Sequence, residues 1–445
     1  MQLKKPNTIR GALATATCAL LGTNVSQPAV AADLFDGWQT NSAVLFYSEK
    51  DRVTAVEPVI KLRRDLGNDQ FMDLKFVADL LSGSSPTGAV PSNVPQTFGG
   101  PSGQGSYTVN ANETPLDPTF QDTRFAANGT WETPQSRNFR TIYGANFSTE
   151  TDYTSFGGSA SLLYDLNNKN TTLSASGALN LDSVSPIGGP PQAFTEVPTV
   201  STGGGEGGGE GEGEVSGSGN ESKTITDILF GVTQVVNRQT LMQFNYGIGH
   251  SSGYLTDPYK MLSVVNPSDG SLVTNTANNG YKYLYEKRPS SRNRHTLYWQ
   301  MNHQFTNDVL YLTYRYYWDD WDVKSHTTDL RYRFEFGRHH YIQPHVRYSK
   351  QTAASFYRYF LLDGDPLPQY ASADYRLGDM TTETFGVKYG ADLDKHSEFS
   401  FRVEAMKQFG DSHPAQAAGM SKLNKLDLFP TVNALIFQAS YNYKF

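Results

Sequence analysis

From Gln39 onward the chain alternates apolar and polar residues in segments of about ten to fourteen positions. Between 328 and 336, Thr328, Leu330, Tyr332, Phe334 and Phe336 share one parity, and Asp329, Arg331, Arg333 and Glu335 share the other. Successive side chains of a strand point to opposite faces, so a strand here puts the rings on one side and the charges on the other. Leu310, Leu312, Tyr314, Tyr316 and Trp318 divide in the same way from Thr313, Arg315, Tyr317 and Asp319. So do Phe385, Val387 and Tyr389 from Thr384 and Lys388, and Phe399, Phe401 and Val403 from Ser400, Arg402 and Glu404. Near the start, Met72, Leu74, Phe76 and Ala78 oppose Asp73, Lys75 and Asp79.

The gaps between segments are alternately short and long. Short ones carry turn chemistry: Gly67-Asn68-Asp69, Pro134-Gln135, Asn167 to Asn170, Asn237-Arg238, Asn307-Asp308, Gly337-Arg338 and Asp392 to Lys395. Longer loops are expected near 83–120, 184–222, 252–291, 352–381 and 409–430, with tight connections on that same side at 49–51, 151–152 and 322–325. Counting from Trp38 gives about sixteen strands, an even number. The fold expected is all-β: a transmembrane antiparallel up-and-down β-barrel with short periplasmic turns and long extracellular loops. The last strand adds its own signal. Leu435, Phe437, Ala439, Tyr441, Tyr443 and Phe445 alternate with Ile436, Gln438, Ser440, Asn442 and Lys444 up to the final residue. Phe437, Tyr441, Tyr443 and Phe445 resemble the signal read by the barrel assembly machinery.

Composition sharpens this picture. Only 38% of the 445 residues are hydrophobic, which excludes a polytopic helical membrane protein, yet 13% are aromatic. A barrel needs that combination, with one face in lipid, one in water and rings at both interfaces. A net charge of -7 offers no footprint for nucleic acid. At the start, Lys4, Lys5 and Arg10 precede a short apolar stretch, and Ala29-Val30-Ala31 supplies small residues, so 1–31 reads as a cleaved signal peptide. The one cysteine, Cys18, lies in that leader, which leaves the expected mature chain, 32–445, without disulfides, thiolate metal sites or thiol nucleophiles. The Gly/Glu-rich stretch 203–219 cannot bury enough apolar surface to fold and reads as a flexible loop insertion.

No catalytic constellation stands out, and no enzyme activity, metal or cofactor is expected. His339, His340 and His345 cluster at a turn and the strand after it, but adjacent strand residues point to opposite faces and His340 and His345 differ in parity. Asp363-Gly364-Asp365-Pro366 lacks the spacing and terminal Glu of a calcium loop and reads as a turn. The cluster Trp318 to Asp322 reads as girdle rings with acids in solvent. The candidate functional surface is the lumen, lined by Glu57, Lys61, Arg63, Asp73, Lys75, Arg315, Asp329, Arg331, Arg333, Glu335, Arg347, Lys388, Arg402 and Glu404. Asp79, Arg124, Arg140, Asp227 and Asp319 share that face. In a wide pore such groups set selectivity; in a closed barrel they brace the wall. Parity leaves both open.

Several blocks also carry a resemblance: RVTAVEP at 52–58, LLSGSSP at 80–86, QTF at 96–98, YRYYWDDW at 314–321, SHT at 325–327 and YASADYRLG at 370–378. Through them the chain resembles, over nearly all its mature length, the bacterial domain-of-unknown-function 3570 family of outer-membrane barrels. The insertion at 203–219 departs from it. The resemblance implies location in the bacterial outer membrane and carries over no catalytic residue. The expected function is a porin-like channel or transporter for small polar or charged solutes. The alternative is an anchoring barrel with an occluded lumen for a periplasmic or lipoprotein partner in an envelope redox process. Expected partners are outer-membrane lipid, lipopolysaccharide and the assembly machinery.

Overall fold

The computed structural model describes residues 37–99, 106–198, 219–275, 280–415 and 417–444. The leader, most of the Gly/Glu-rich stretch and Phe445 lie outside the described residues. In chain order the first strands are β1 (Trp38–Glu49), β2 (Thr54–Gly67), β3 (Gln70–Pro86), the short β4 (Gln96–Gly99) and β5 (Ser106–Val109), then β6 (Leu116–Ser136) and β7 (Phe139–Thr149). Next come β8 (Tyr153–Leu166), β9 (Thr171–Val184), β10 (Glu221–Asn237), β11 (Thr240–Gly253), β12 (Met261–Val265) and β13 (Tyr283–Tyr285). The remainder are β14 (Ser291–Gln304), β15 (Val309–Asp319), β16 (Lys324–Phe336), β17 (His340–Gln351), β18 (Leu361–Leu362), β19 (Met380–Asp392), β20 (Ser397–Gly410) and β21 (Val432–Lys444).

Sixteen of these close an antiparallel barrel in the order β1-β2-β3-β6-β7-β8-β9-β10-β11-β14-β15-β16-β17-β19-β20-β21, and β21 pairs back onto β1 with Phe46 opposite Phe437. Closure leaves no ring strand with an unpaired edge, which backbone in hydrocarbon requires. The alternation expected from the sequence holds around the ring. Phe125, Phe147, Phe156, Leu181, Phe230, Phe244, Phe334 and Phe385 stand exposed on one face, as side chains built to meet lipid do. At the turn end, Asn68, Asp69, Asn167, Asn168 and Lys169 all take positive φ, which Asn and Asp tolerate best.

Two turns shift from their expected places. Pro134 was expected in a turn, but β6 runs on to Ser136 through a register shift between Pro134 and Ser136, and the turn falls at Arg137-Asn138. Proline has no N–H for the ladder, so a bulge accommodates it inside a strand. The tight connection expected at 322–325 lies at 320–323, because β16 begins at Lys324.

The larger difference concerns the long loops. The segments between β3 and β6, β11 and β14, β17 and β19, and β20 and β21 fold together into a cap with its own apolar core. It holds the β4–β5 hairpin, the sheet β13-β12-β18 and two short helical turns, Tyr375–Leu377 and Met420–Leu423. Leu262, Val264, Leu284, Leu361 and Ala371 form one buried cluster; Phe98, Val109, Met261 and Tyr283 form a second; Val90, Val265, Met420 and Leu423 form a third. Between the β3–β6 and β11–β14 segments run Met261 N–H to the Thr87 carbonyl (2.9 Å), Val90 N–H to Ser263 Oγ (3.1 Å) and Tyr283 Oη–H to Gln96 Oε1 (2.7 Å). β3 and β6 are third and fourth in the ring, whereas β11 and β14 are ninth and tenth. Segments rooted on nearly opposite walls meet across the opening, so the cap spans the loop end of the barrel.

Candidate functional site: the charged wall and the cap

The expected lumen residues share one face of the ring, and most are paired there. Asp73 on β3 accepts from Arg63 (3.0 Å) and lies 3.1 Å from Lys61, both on β2. Arg331 pairs with Asp329 (3.1 Å), Arg333 with Glu335 (2.5 Å) and Arg402 with Glu404 (3.7 Å). Arg140 bridges Glu132 and Asp165, and Arg124 binds Asp79, which also faces Glu57. Lys388 sits over the Tyr341 ring, 5.3 Å from its centroid. Lys75, Arg315 and Arg347 are exposed on the same face and form no ion pair or hydrogen bond with any described residue.

Several bonds on this face skip a strand. His345 of β17 meets Asp329 of the adjacent β16 at 2.8 Å through Nε2, and Glu404 of β20 at 2.8 Å through Nδ1. Glu404 reaches it across β19, where Gly386 stands opposite both. A Cβ on Gly386 would collide with the Glu404 side chain. Arg294 of β14 reaches Asp227 of β10 (3.1 Å) past Gly249 of β11, and Tyr341 reaches Glu398 (2.6 Å) past Gly390. Strands once removed are about 9.5 Å apart, so their side chains must lean toward one another. His345 is the residue that parity reasoning missed. Its odd number set it on the charged face, but reading it with His339 and His340 assigned it to the turn.

His340 itself stacks on Phe336 and Tyr389 and bonds Tyr389 Oη at 2.9 Å, beside the ring face. Among the described residues no group of three or more His, Cys, Asp or Glu could hold a metal. On the closing strand Phe437 lies 6.2 Å from Phe46 and 6.5 Å from Phe401, and Tyr441 stacks with Tyr443 at 6.3 Å.

At 318–322 the reading of acids in solvent holds for Asp320 and Asp322, which are exposed, and fails for one residue. Trp318 is a girdle ring, stacked on His295 at 5.0 Å. Asp319, however, is buried. It accepts from Arg292 (2.5 and 2.8 Å), from Tyr317 Oη–H (2.6 Å) and from the N–H groups of Trp321 and Val323 (3.0 Å each). Trp321 packs into a fourth cap cluster with Val323, Phe356 and Leu377. One carboxylate thus closes the turn and anchors the cap to the rim.

Inside the cap lies a dense ionic cluster. Arg288 joins Glu286 (2.6 Å) and Asp374 (2.9 Å); Arg376 joins Asp374 (2.5 Å) and Asp257 (2.6 Å). The Lys260 ammonium donates to the Pro86 carbonyl, and Ser372 Oγ–H donates to Glu286. Glu286 and Asp374 are 1% exposed, so these charges stand or fall together. Burial pushes Asp374 up, but Arg376, Arg288 and Lys260 outweigh it and hold its carboxyl well below the usual range. Burial raises Glu286 and lowers Lys260. The cluster locks the β11–β14 segment to the β17–β19 segment and to the end of β3.

The family described as "Protein of unknown function (DUF3570)" has a model that matches residues 10–443. No curated protein matches. Similar solved structures include the CymD monoaromatic hydrocarbon channel, at 9% identity, covering 94% of this chain and 91% of that one with a TM-score of 0.39. OccK2 (OpdF) of Pseudomonas aeruginosa is 8% identical, covering 91% of this chain and 97% of its own, TM-score 0.38. A mutant ferric enterobactin receptor (PfeA) of Pseudomonas aeruginosa is 9% identical, TM-score 0.38; the match covers 84% of this chain and about half (53%) of the receptor.

Proposed function

The chain belongs to the DUF3570 family of proteins of unknown function, and from that premise we propose that it is an outer-membrane barrel that carries small polar or charged solutes along its charged face. One observation carries the reading: on that face, side chains from strands once removed meet over a glycine, as at Glu404, Gly386 and His345. Side chains converge on the inside of a closed ring and diverge on the outside. The charged face is therefore the lumen, and Glu57, Lys61, Arg63, Asp73, Lys75, Arg315, Asp329, Arg331, Arg333, Glu335, Arg347, Lys388, Arg402 and Glu404 line it. The leader 1–31 directs export, and the closing strand presents Phe437, Tyr441 and Tyr443 to the assembly machinery. The lipid face then lies among outer-membrane lipid and lipopolysaccharide.

The cap limits passage at the loop end, so conduction is expected to be gated or narrow. The same cap, with the paired wall, favours a second reading: an occluded barrel that anchors a periplasmic or lipoprotein partner. Planar-bilayer recording of the purified full chain separates the two. Discrete ion steps support passage, with anion/cation preference that shifts in the Arg331→Ala/Arg333→Ala variant. Silence at high protein load, with a lipoprotein captured by the solubilised barrel, supports the anchor.

A further inference from the structure

On the charged face the cations are unevenly placed and unevenly paired. The wall from β7 to β11 is mostly small and neutral, with Asn146, Asn180, Ser174, Ser176 and Asn245. The wall from β15 to β20 carries Arg315, Arg347, Arg331, Arg333, Lys388 and Arg402. Registers set these in steps along β16. Arg315 stands opposite Thr327, Arg347 opposite Asp329, and Arg331 opposite His345. Lys388 and Arg402 stand opposite one another one step further from the cap, with Gln343 opposite Lys388. Two residues of antiparallel strand rise about 7 Å, so positive charge recurs at that interval from the cap downward.

The two rungs nearest the cap differ from the rest. Arg331, Arg333 and Arg402 each have a carboxylate partner. Arg315 and Arg347 make no ion pair, since Asp329, which stands opposite Arg347, is held by Arg331 and His345; the two flank β16 from either side and their positive charges oppose each other. Thr327 on β16 stands opposite Arg315 and bonds Ser349, the next residue on Arg347's strand and face toward the cap, at 3.0 Å. Wall-bracing arginines are paired; two like guanidiniums held together unpaired are relieved by an anion shared between them. The planar fork of each matches two oxygens of a carboxylate or phosphate.

We propose that Arg315 and Arg347, with the Thr327 and Ser349 hydroxyls, form a binding site for a small oxyanion of the carboxylate or phosphate class, the first rung of a cationic column leading away from the cap. This rests on reading the charged face as the lumen. The ligand is a free solute, and the guanidinium pair selects it by charge and by bidentate geometry.

The test is calorimetric titration of the full chain in detergent, at low salt, with inorganic phosphate and separately with succinate, against chloride. Saturable binding of either oxyanion is expected, weakened tenfold or more in Arg315→Gln/Arg347→Gln and largely unchanged in Lys395→Gln, in a turn outside the barrel wall. The Arg315→Lys/Arg347→Lys pair retains charge without the fork and is expected to bind at an intermediate level, which controls for misfolding of the Gln pair. Binding of only one of the two anions supports the site and fixes its ligand. No saturable binding in the wild type, or equal binding in the Gln pair, overturns it. Because the readout needs no current, a barrel silent in bilayers that still binds through these arginines removes the channel and keeps the site. A conducting barrel whose anion binding ignores them does the reverse.

Discussion

Gly386 shows how one residue without a side chain shapes the wall. It leaves the gap through which Glu404 crosses β19 to His345. Gly386→Ala is expected to break that bond and cost about 1–3 kcal/mol, from lost hydrogen bonding and overpacking, read as a lower urea midpoint for unfolding from lipid vesicles. Glu150, in the tight turn between β7 and β8, offers a pH test. Burial first, then Asp122, raise its carboxyl from the ordinary 4.5 to about 7, with Arg124 opposing and Asp152 adding to the rise. A folded-state value above the unfolded one means that the folded form holds a proton which the unfolded form has released. Its contribution is therefore full below pH 4.5 and fades as the pH rises through about 7. Unfolding midpoints of Glu150→Gln are expected to fall less than those of the wild type between those limits; parallel curves would refute the assignment. At this scale parity told which face Arg331, Arg333 or Lys388 occupies, because a period of two is a local rule. It did not tell who pairs with whom, since Glu404 and His345 are brought together only by the pairing of β17, β19 and β20 in a curved wall.

Among the elements, β16 is the clearest case of a strand written for two media. Leu330 lies at its midpoint, opposite Leu312 and Val346 and 40% exposed on the ring face. Leu330→Arg is expected to destabilise the barrel by about 2–4 kcal/mol in bilayers, the cost of a cation near the midplane of the lipid. In a soluble β-protein the same change on an exposed position would be nearly neutral, so equal stability of the two forms would count against a lipid-facing surface. Strands of this kind were legible because rings and charges separate cleanly by parity, and turns because Asn68-Asp69 and Asn167-Asn168 suit positive φ. Pro134 misled because it usually ends a strand, whereas here a bulge absorbs it.

At the scale of the whole molecule, the sequence described the barrel far better than what covers it. The cap's short strands, such as Leu361–Leu362, are too brief to show a period, and their partners lie far away in the chain. Phe98 and Tyr283 pack at 5.1 Å across 185 positions, a contact that no window of sequence can display. Yet the blocks QTF at 96–98 and YASADYRLG at 370–378, two of those on which the family resemblance rests, supply Gln96, Phe98, Asp374 and Arg376 to this cap. That placement ties the stretches shared with the family to the cap and its ionic cluster. Asp374→Asn removes the carboxylate shared by Arg288 and Arg376 and leaves each with a single carboxylate partner, Glu286 and Asp257, a loss of about 1–3 kcal/mol to the cap. The ring strands touch this cluster only at its edge, so hydrogen exchange is expected to rise across 254–290 and 352–379 while β6 to β9 stay protected. If the cap is what restricts flow, the variant conducts more, or opens more often, than the wild type. Should exchange rise in the cap with conductance unmoved, the restriction lies lower down, in the paired wall itself around Asp329, His345 and Glu404.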